Sequence, residues 1–263
     1  MTERQTIRIA AVADIHCTRT SQGALQPLFA EAARAADVLL LGGDLTDYGL
    51  AEEARVLARE LEAAGTLPVL AVLGNHDYEA GEQRAVVEIL RAAGVMVLDG
   101  EGVEVAGVGF AGAKGFGGGF GQRMIEPWGE EATKQFVRES MQEAIKLESA
   151  LARLPGPQRV VLLHYSPIVE TLAGEPAEIV PFLGTSRLED PINRYKVAAC
   201  FHGHAHRGRP EGRTSVGVPV FNVALPILKA TLADRPPLRL LELPVRPPFE
   251  EQRVAERRVG SLR

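Results

Sequence analysis

Cysteine is nearly missing from this chain. Two residues, Cys17 and Cys200, stand in 263, too few for a disulfide framework, and the expected compartment is cytoplasmic. Long apolar runs are missing too: none approaches the ~20 residues that cross a bilayer, so no membrane span is expected. A basic excess is absent, since 34 acidic against 29 basic residues leave a net charge of −5. That balance argues against a protein that coats nucleic acid, and no stable nucleic-acid binding is expected. Nor is the chain poor in apolar residues, and 46% hydrophobic content excludes the disordered class. Residues 1–13 show no cleavage pattern and read as a first strand. No internal repeat and no second domain are visible. What remains is an acidic, soluble protein with one core, and oligomeric state is open, a homodimer included.

The apolar runs alternate with helical stretches. Ile7–Ala13 is β-rich and ends in Asp14-Ile15-His16; Val38–Leu41 ends in Gly42-Gly43-Asp44; Pro68–Leu73 ends in Gly74-Asn75-His76-Asp77. Helices are expected over Ala24–Ala36, Leu50–Ala64 and Glu82–Ala93, with Gly65 and Gly94 as stops. The order β-α-β-α-β-α predicts parallel strands with crossover helices, whose carboxyl ends line the ligand crevice. Beyond Gly94 come short strands (Val95–Leu98, Val103–Val105, Val108–Ala111), a glycine-rich stretch over 112–130 and a helix from Glu131 to Leu154. Strands resume at Val160–Leu163, followed by His164, and at Val197–Phe201, followed by His202-Gly203-His204-Ala205-His206. Val216–Val223 and Leu238–Leu243 read as late strands, and five prolines between Pro236 and Pro248 exclude a helix there.

All six histidines lie at or just past the end of an apolar run. On extended strand ends, Asp14 and His16 would share one side, as would His204 and His206. With Asp44, Asn75 and His164 they make seven nitrogen or oxygen donors. Imidazole with carboxylate suits zinc, manganese or iron, whereas magnesium or calcium would take nearly all oxygen. Seven exceeds the four ligands of one zinc site and fits two ions sharing a carboxylate. Each motif alone has an ordinary reading, as a cap or a turn. It is their joint placement at strand ends that argues for metal. Cys17 reads as an ordinary thiol turned away from His16, and His202 as a structural neighbour. Asp77 either orients His76 or closes the turn.

The run Asp14-x-His16, Gly43-Asp44, Gly74-Asn75-His76-Asp77, His164, Gly203-His204-x-His206 resembles the signature of the calcineurin-like metallophosphoesterases, in order, over roughly three quarters of the chain. The resemblance implies an α/β fold of four layers (α/β/β/α), two mixed β-sheets flanked by helices in a single domain. The domain would span 1–248, with 249–263 as a flexible carboxyl-terminal tail and 112–130 as a variable loop. Carried over by position, one divalent ion (Mn, Fe or Zn) would take Asp14, His16, Asp44 and His206. The second would take Asp44 as bridge, Asn75, His164 and His204. A metal-bridging hydroxide would attack phosphorus while His76 serves the leaving group. Two divalent ions against two aspartates and one hydroxide leave a net positive site for a small-molecule phosphoester.

One departure bears on substrate. The serine/threonine protein phosphatases carry an arginine where Gly43-Asp44-Leu45-Thr46-Asp47-Tyr48-Gly49 has Tyr48, and Asn-His-Glu where Asp77 closes the motif. A bidentate guanidinium serves a dianionic monoester most. Its absence, and similarity to bacterial class III cyclic nucleotide phosphodiesterases, favour a nucleotide-type phosphodiester. The alternatives are a phosphomonoesterase, with Arg123, Arg187 or Arg207 replacing the clamp, and a non-catalytic scaffold. The stretch from Gly112 to Gly121 is not a Walker loop. It reads either as a flexible surface loop or as a lid, with Phe116, Phe120 and Trp128 on the substrate and Lys114 near a phosphate.

Overall fold

A computed structural model describes residues 6–245; the tail expected over 249–263 lies outside them. In chain order the strands are β1 (Thr6–Val12), β2 (Val38–Gly42), β3 (Val69–Val72), β4 (Met96–Val97), β5 (Glu101–Val105), β6 (Val108–Gly112), β7 (Arg159–Leu162), β8 (Ala199–His202), β9 (Glu211–Arg213), β10 (Pro219–Asn222) and β11 (Arg239–Pro244). The helices are α1 (Gln26–Ala35), α2 (Ala51–Glu60), α3 (Gln83–Ala92), α4 (Glu131–Arg153), α5 (Glu189–Arg194) and α6 (Leu225–Thr231).

Two sheets form, ordered β11-β1-β2-β3-β4 and β5-β6-β7-β8-β10-β9. In the first, β1 through β4 run parallel and β11 closes the edge antiparallel, in register Thr6↔Pro244 to Ala11↔Arg239. In the second, β6, β7, β8 and β10 are parallel between antiparallel β5 and β9. Strict period-two alternation fixes which face goes where. Phe110, Val160, Leu162, Ala199 and Phe201 enter the core shared with the first sheet. Ala111, Val161, Leu163 and Cys200 pack instead with Leu147 and Leu151 of α4 and Ile192 of α5. Helices α1, α2 and α3 supply the crossovers of the first sheet, giving the four-layer α/β/β/α sandwich. Ala13 joins the sheets at one end, donating to Val223 (2.8 Å) and accepting from Leu225 (2.9 Å).

The expected helix over 50–64 stops at Glu60 and tightens into a 3-10 turn, Leu61–Ala64. The late strand expected over 216–223 is shorter, and β9, α5 and α6 were not anticipated; elements of three to seven residues carry too little periodicity to be read. The glycine-rich stretch is no surface loop in its first half: residues 112–115 and 117–119 are buried, and only 121–130 is mainly exposed. A Cβ at Gly118 would stand 2.7 Å from Ser140 Oγ, so close packing demands glycine there. No helix among the described residues is long and apolar enough to cross a membrane.

Candidate metal centre

The parallel strands end level with one another, and the chain turns sharply at each end. Asp14, His16, Asp44 and His204 all take left-handed backbone conformations, with φ of 56°, 43°, 47° and 69°. Four of the six described non-glycine residues in that region thus gather at these strand ends. This corrects the simple strand alternation expected for Asp14/His16 and His204/His206. β1 ends at Val12 and β8 at His202, and left-handed turns, not pleats, aim the side chains. Glycine next to a ligand has a steric cause. A Cβ on Gly74 would lie 2.1 Å from Asp44 Oδ1, and one on Gly203 2.4 Å from Asp14 Oδ2.

Three groups of side chains converge, each with candidate ligand atoms within 4.8 Å of one another: Asp14, His16 and His206; Asp44, His164 and His204; and His16, Asp47 and His76. Asp44 spans the first two, its carboxylate oxygens 3.8 Å from His16 Nε2 and 3.4 Å from His164 Nε2. Asn75 joins the second group, Oδ1 lying 2.9 Å from His164 Nε2. All seven expected donors are therefore brought together.

The polarity of these contacts calls for a cation. A carbonyl can only accept, so His164 Nδ1 donates to Gly42 O at 2.9 Å. A ring protonated at Nδ1 alone turns the Nε2 lone pair toward two further oxygens, those of Asn75 and Asp44, where a cation would relieve it. At His16 neither ring nitrogen makes a well-aligned hydrogen bond; Nε2 faces only the Asp44 carboxylate at 3.8 Å. Burial, with His164 beside it, pushes His204 down to about 3, which keeps its lone pair free. Asp14 ionises more readily than usual because the hydrogen bond from His206 (3.0 Å) and the nearby histidines outweigh its burial. It also accepts the backbone N–H of His204 at 3.0 Å. The donor set fits two divalent transition-metal ions.

His76 belongs to the third group, beside His16 and Asp47. Its Nδ1 donates to the Asp47 carbonyl at 2.7 Å, its backbone N–H to Asp44 Oδ1 at 2.9 Å, and its ring meets His16 edge-on at 4.6 Å. Asp47 also places a carboxylate oxygen 3.1 Å from His16 Nδ1. Sequence reasoning gave Asp47 no role, although it stands three residues after Asp44 in the same block. Asp77 does not orient His76. Buried, it accepts from Leu45, Thr46 and Gly74 and so closes the turn. His202 donates to the Gly203 carbonyl and bonds the Thr171 hydroxyl, both at 2.8 Å, away from the centre. Cys17 is buried and its thiol pushed up to about 12, chiefly by desolvation, which makes it a poor ligand. Arg187 is held by the Ile125 carbonyl and Glu126, and Arg207, next to His206, is exposed.

The family model of the calcineurin-like phosphoesterases matches residues 7–208. No curated protein matches the chain. Among solved structures it is similar to the phosphopantetheinyl hydrolase of Mycobacterium tuberculosis, at 16% identity and TM-score 0.62 over 89% of this chain and 95% of that one. It is also similar to GAP50, the anchor in the inner membrane complex of Plasmodium (11%, 0.54, 85% and 73%). A third likeness is to a putative 5'-nucleotidase of Staphylococcus aureus (18%, 0.51, 82% and 48%). At such identities these likenesses concern the fold.

Proposed function

The chain belongs to the calcineurin-like phosphoesterase family, and from that premise we propose that it hydrolyses a small-molecule, nucleotide-type phosphodiester at two divalent transition-metal sites. One ion would be held by Asp14, His16, Asp44 and His206, the other by Asp44, Asn75, His164 and His204. The observation that carries this reading is Asp44, whose two carboxylate oxygens reach toward His16 and His164. Such a pair of ions, when bound, supplies Lewis acidity and lowers the pKa of water from 15.7 toward ~7. The residues of the chain do the rest. His76 is fixed through Nδ1 on the Asp47 carbonyl, which leaves Nε2 as the nitrogen that hands a proton to the departing alkoxide. Asn75 contributes a neutral oxygen, so the site keeps the positive charge that attracts a phosphate ester.

Preference for a diester is supported by Tyr48, exposed where a phosphatase arginine would stand. Among the described residues no arginine forms an ion pair with the Asp/His cluster. A diester carries one negative charge and is held without a clamp. The metal-loaded protein should show kcat/KM for bis-p-nitrophenyl phosphate at least about tenfold above that for p-nitrophenyl phosphate, about 1.4 kcal/mol of transition-state preference. Preference for the monoester overturns the diester reading, and turnover of neither overturns the enzymatic one.

A further inference from the structure

The exit of β6 carries a lysine that the metal centre does not use. Lys114 is 7% exposed, and its Nζ donates to the Gly115 carbonyl at 2.8 Å. Among the described residues no carboxylate lies within ion-pair distance of it, although Glu143, bonded to the Gly115 N–H, and Glu139 act on it electrostatically. Three rings surround the ammonium, with centroids 4.8 Å (Phe116), 5.4 Å (Tyr165) and 5.7 Å (Tyr78) from Nζ. A buried ammonium with one of its three protons bonded to protein is costly, and burial pulls its pKa down.

Lys114 lines a cavity of about 400 Å³ with Leu73, Tyr78, Gln83, Arg84 and Leu98, within the size range of small-ligand sites; the wall also carries Glu88, Asp99 and Glu101, of which Asp99 pairs with Lys146 and Glu101 with Arg91. Gln83 Oε1 is buried and has no hydrogen-bond partner. Arg84 has no ion-pair partner among the described residues. None of the seven candidate ligands lines the cavity, but its wall shares backbone with the metal centre. Leu73 and Tyr78 bracket the segment bearing Asn75 and His76. The Lys114 carbonyl accepts from the amides of His164 (3.0 Å) and Tyr165 (3.1 Å), and the Tyr165 ring lies 4.4 Å from that of His204.

We propose that this cavity is a substrate subsite, taking one ester arm of the diester: an apolar chain ending in an oxyanion, carboxylate or phosphate, received by Lys114. The apolar walls of Leu73, Leu98 and the Tyr78 ring suit the chain, and the two uncommitted ammonium protons suit the oxyanion. The subsite rests on the diester reading for the origin of that arm.

The test uses dialkyl phosphinates, whose P–C bonds do not hydrolyse, with one four-carbon arm ending in carboxylate, phosphate or methyl. Binding to the metal-loaded protein is measured by calorimetry. Wild type should bind at least one oxyanion-ended probe tenfold or more tighter than the methyl-ended one, and the tighter of the two identifies the terminal group. Lys114→Met should bring the ratio within twofold. Val87→Trp, which fills the cavity from its half-buried wall, should do the same and keeps the test decisive where the lysine variant fails to fold. A ratio near one in wild type, or a ratio kept in both variants, overturns the subsite. The probes are bound and not cleaved, so a failure of the diester reading shows separately, in the p-nitrophenyl ester rates.

Discussion

Thr46 gives both of its donors to Asp77: the backbone N–H at 2.8 Å and the hydroxyl at 2.6 Å reach the same carboxylate oxygen. The other oxygen takes the N–H groups of Gly74 (2.8 Å) and Leu45 (3.2 Å). One buried carboxylate thus ties the loop carrying Asp44 to the loop carrying Asn75. Asp77→Asn keeps the shape but turns an NH₂ toward N–H donors. It should cost about 2–3 kcal/mol in urea unfolding, the range for hydrogen bonds to charged groups, and weaken metal retention. Unchanged stability would show that the tie is dispensable.

Metal analysis after saturation with manganese should find close to two ions per chain, because seven donors exceed one site. Chelation should lower the unfolding temperature, since ions bound only by the native state stabilise it. Asp44→Asn should empty both sites together, whereas His206→Ala should spare the second. One ion at saturation in the wild type would contradict the shared carboxylate.

Substituting His76 by Asn should lower kcat by the ~10²–10⁴ typical of a proton donor while metal content persists. Esters of p-nitrophenol, which leave without help, should lose less than alkyl esters. Equal losses across leaving groups would instead assign His76 to substrate binding.

Glu60 accepts the backbone N–H groups of Gly23 (2.7 Å), Leu25 (2.9 Å) and Gln26 (3.2 Å) at the start of α1. Burial would raise its pKa, but these bonds more than offset that and hold it below the ordinary 4.5. A carboxyl depressed in the folded state contributes stability that is present above its unfolded pKa and lost as pH falls through the folded one. Glu60→Gln should therefore cost roughly 2 kcal/mol at neutral pH. The gap to wild type should narrow as pH drops below the ordinary glutamate value. A gap independent of pH would mean that shape, not charge, matters at this position.

The first three strand–helix units were legible because each apolar run is continuous and each polar end abrupt, as in Val38–Leu41 before Gly42-Gly43-Asp44. The seven candidate ligands, which the fold brings together, were legible as a set for the same reason. Their orientation was not: left-handed turns at Asp14 and His204 depend on partners 190 residues away, and local pattern does not encode them. Asp47 escaped notice because an aspartate in a turn has an ordinary local explanation. Lys114 looked like a loop residue because glycine-rich sequence suggests exposure, whereas here small residues let α4 and the 181–185 segment close over the chain.

His206 and Asp14 meet at 3.0 Å across 192 residues, and that span has a consequence for biosynthesis. While the ribosome has delivered only β1 to β4, Asp14, His16, Asp44 and Asn75 are present without His164, His204 or His206. The nascent chain therefore offers each ion a half-built cage, with an affinity well below that of the finished one. Loading waits until β8 has docked beside β7, a late, non-local step. On the proposed ligand set, metal acquisition would follow the meeting of the two sheets rather than precede it.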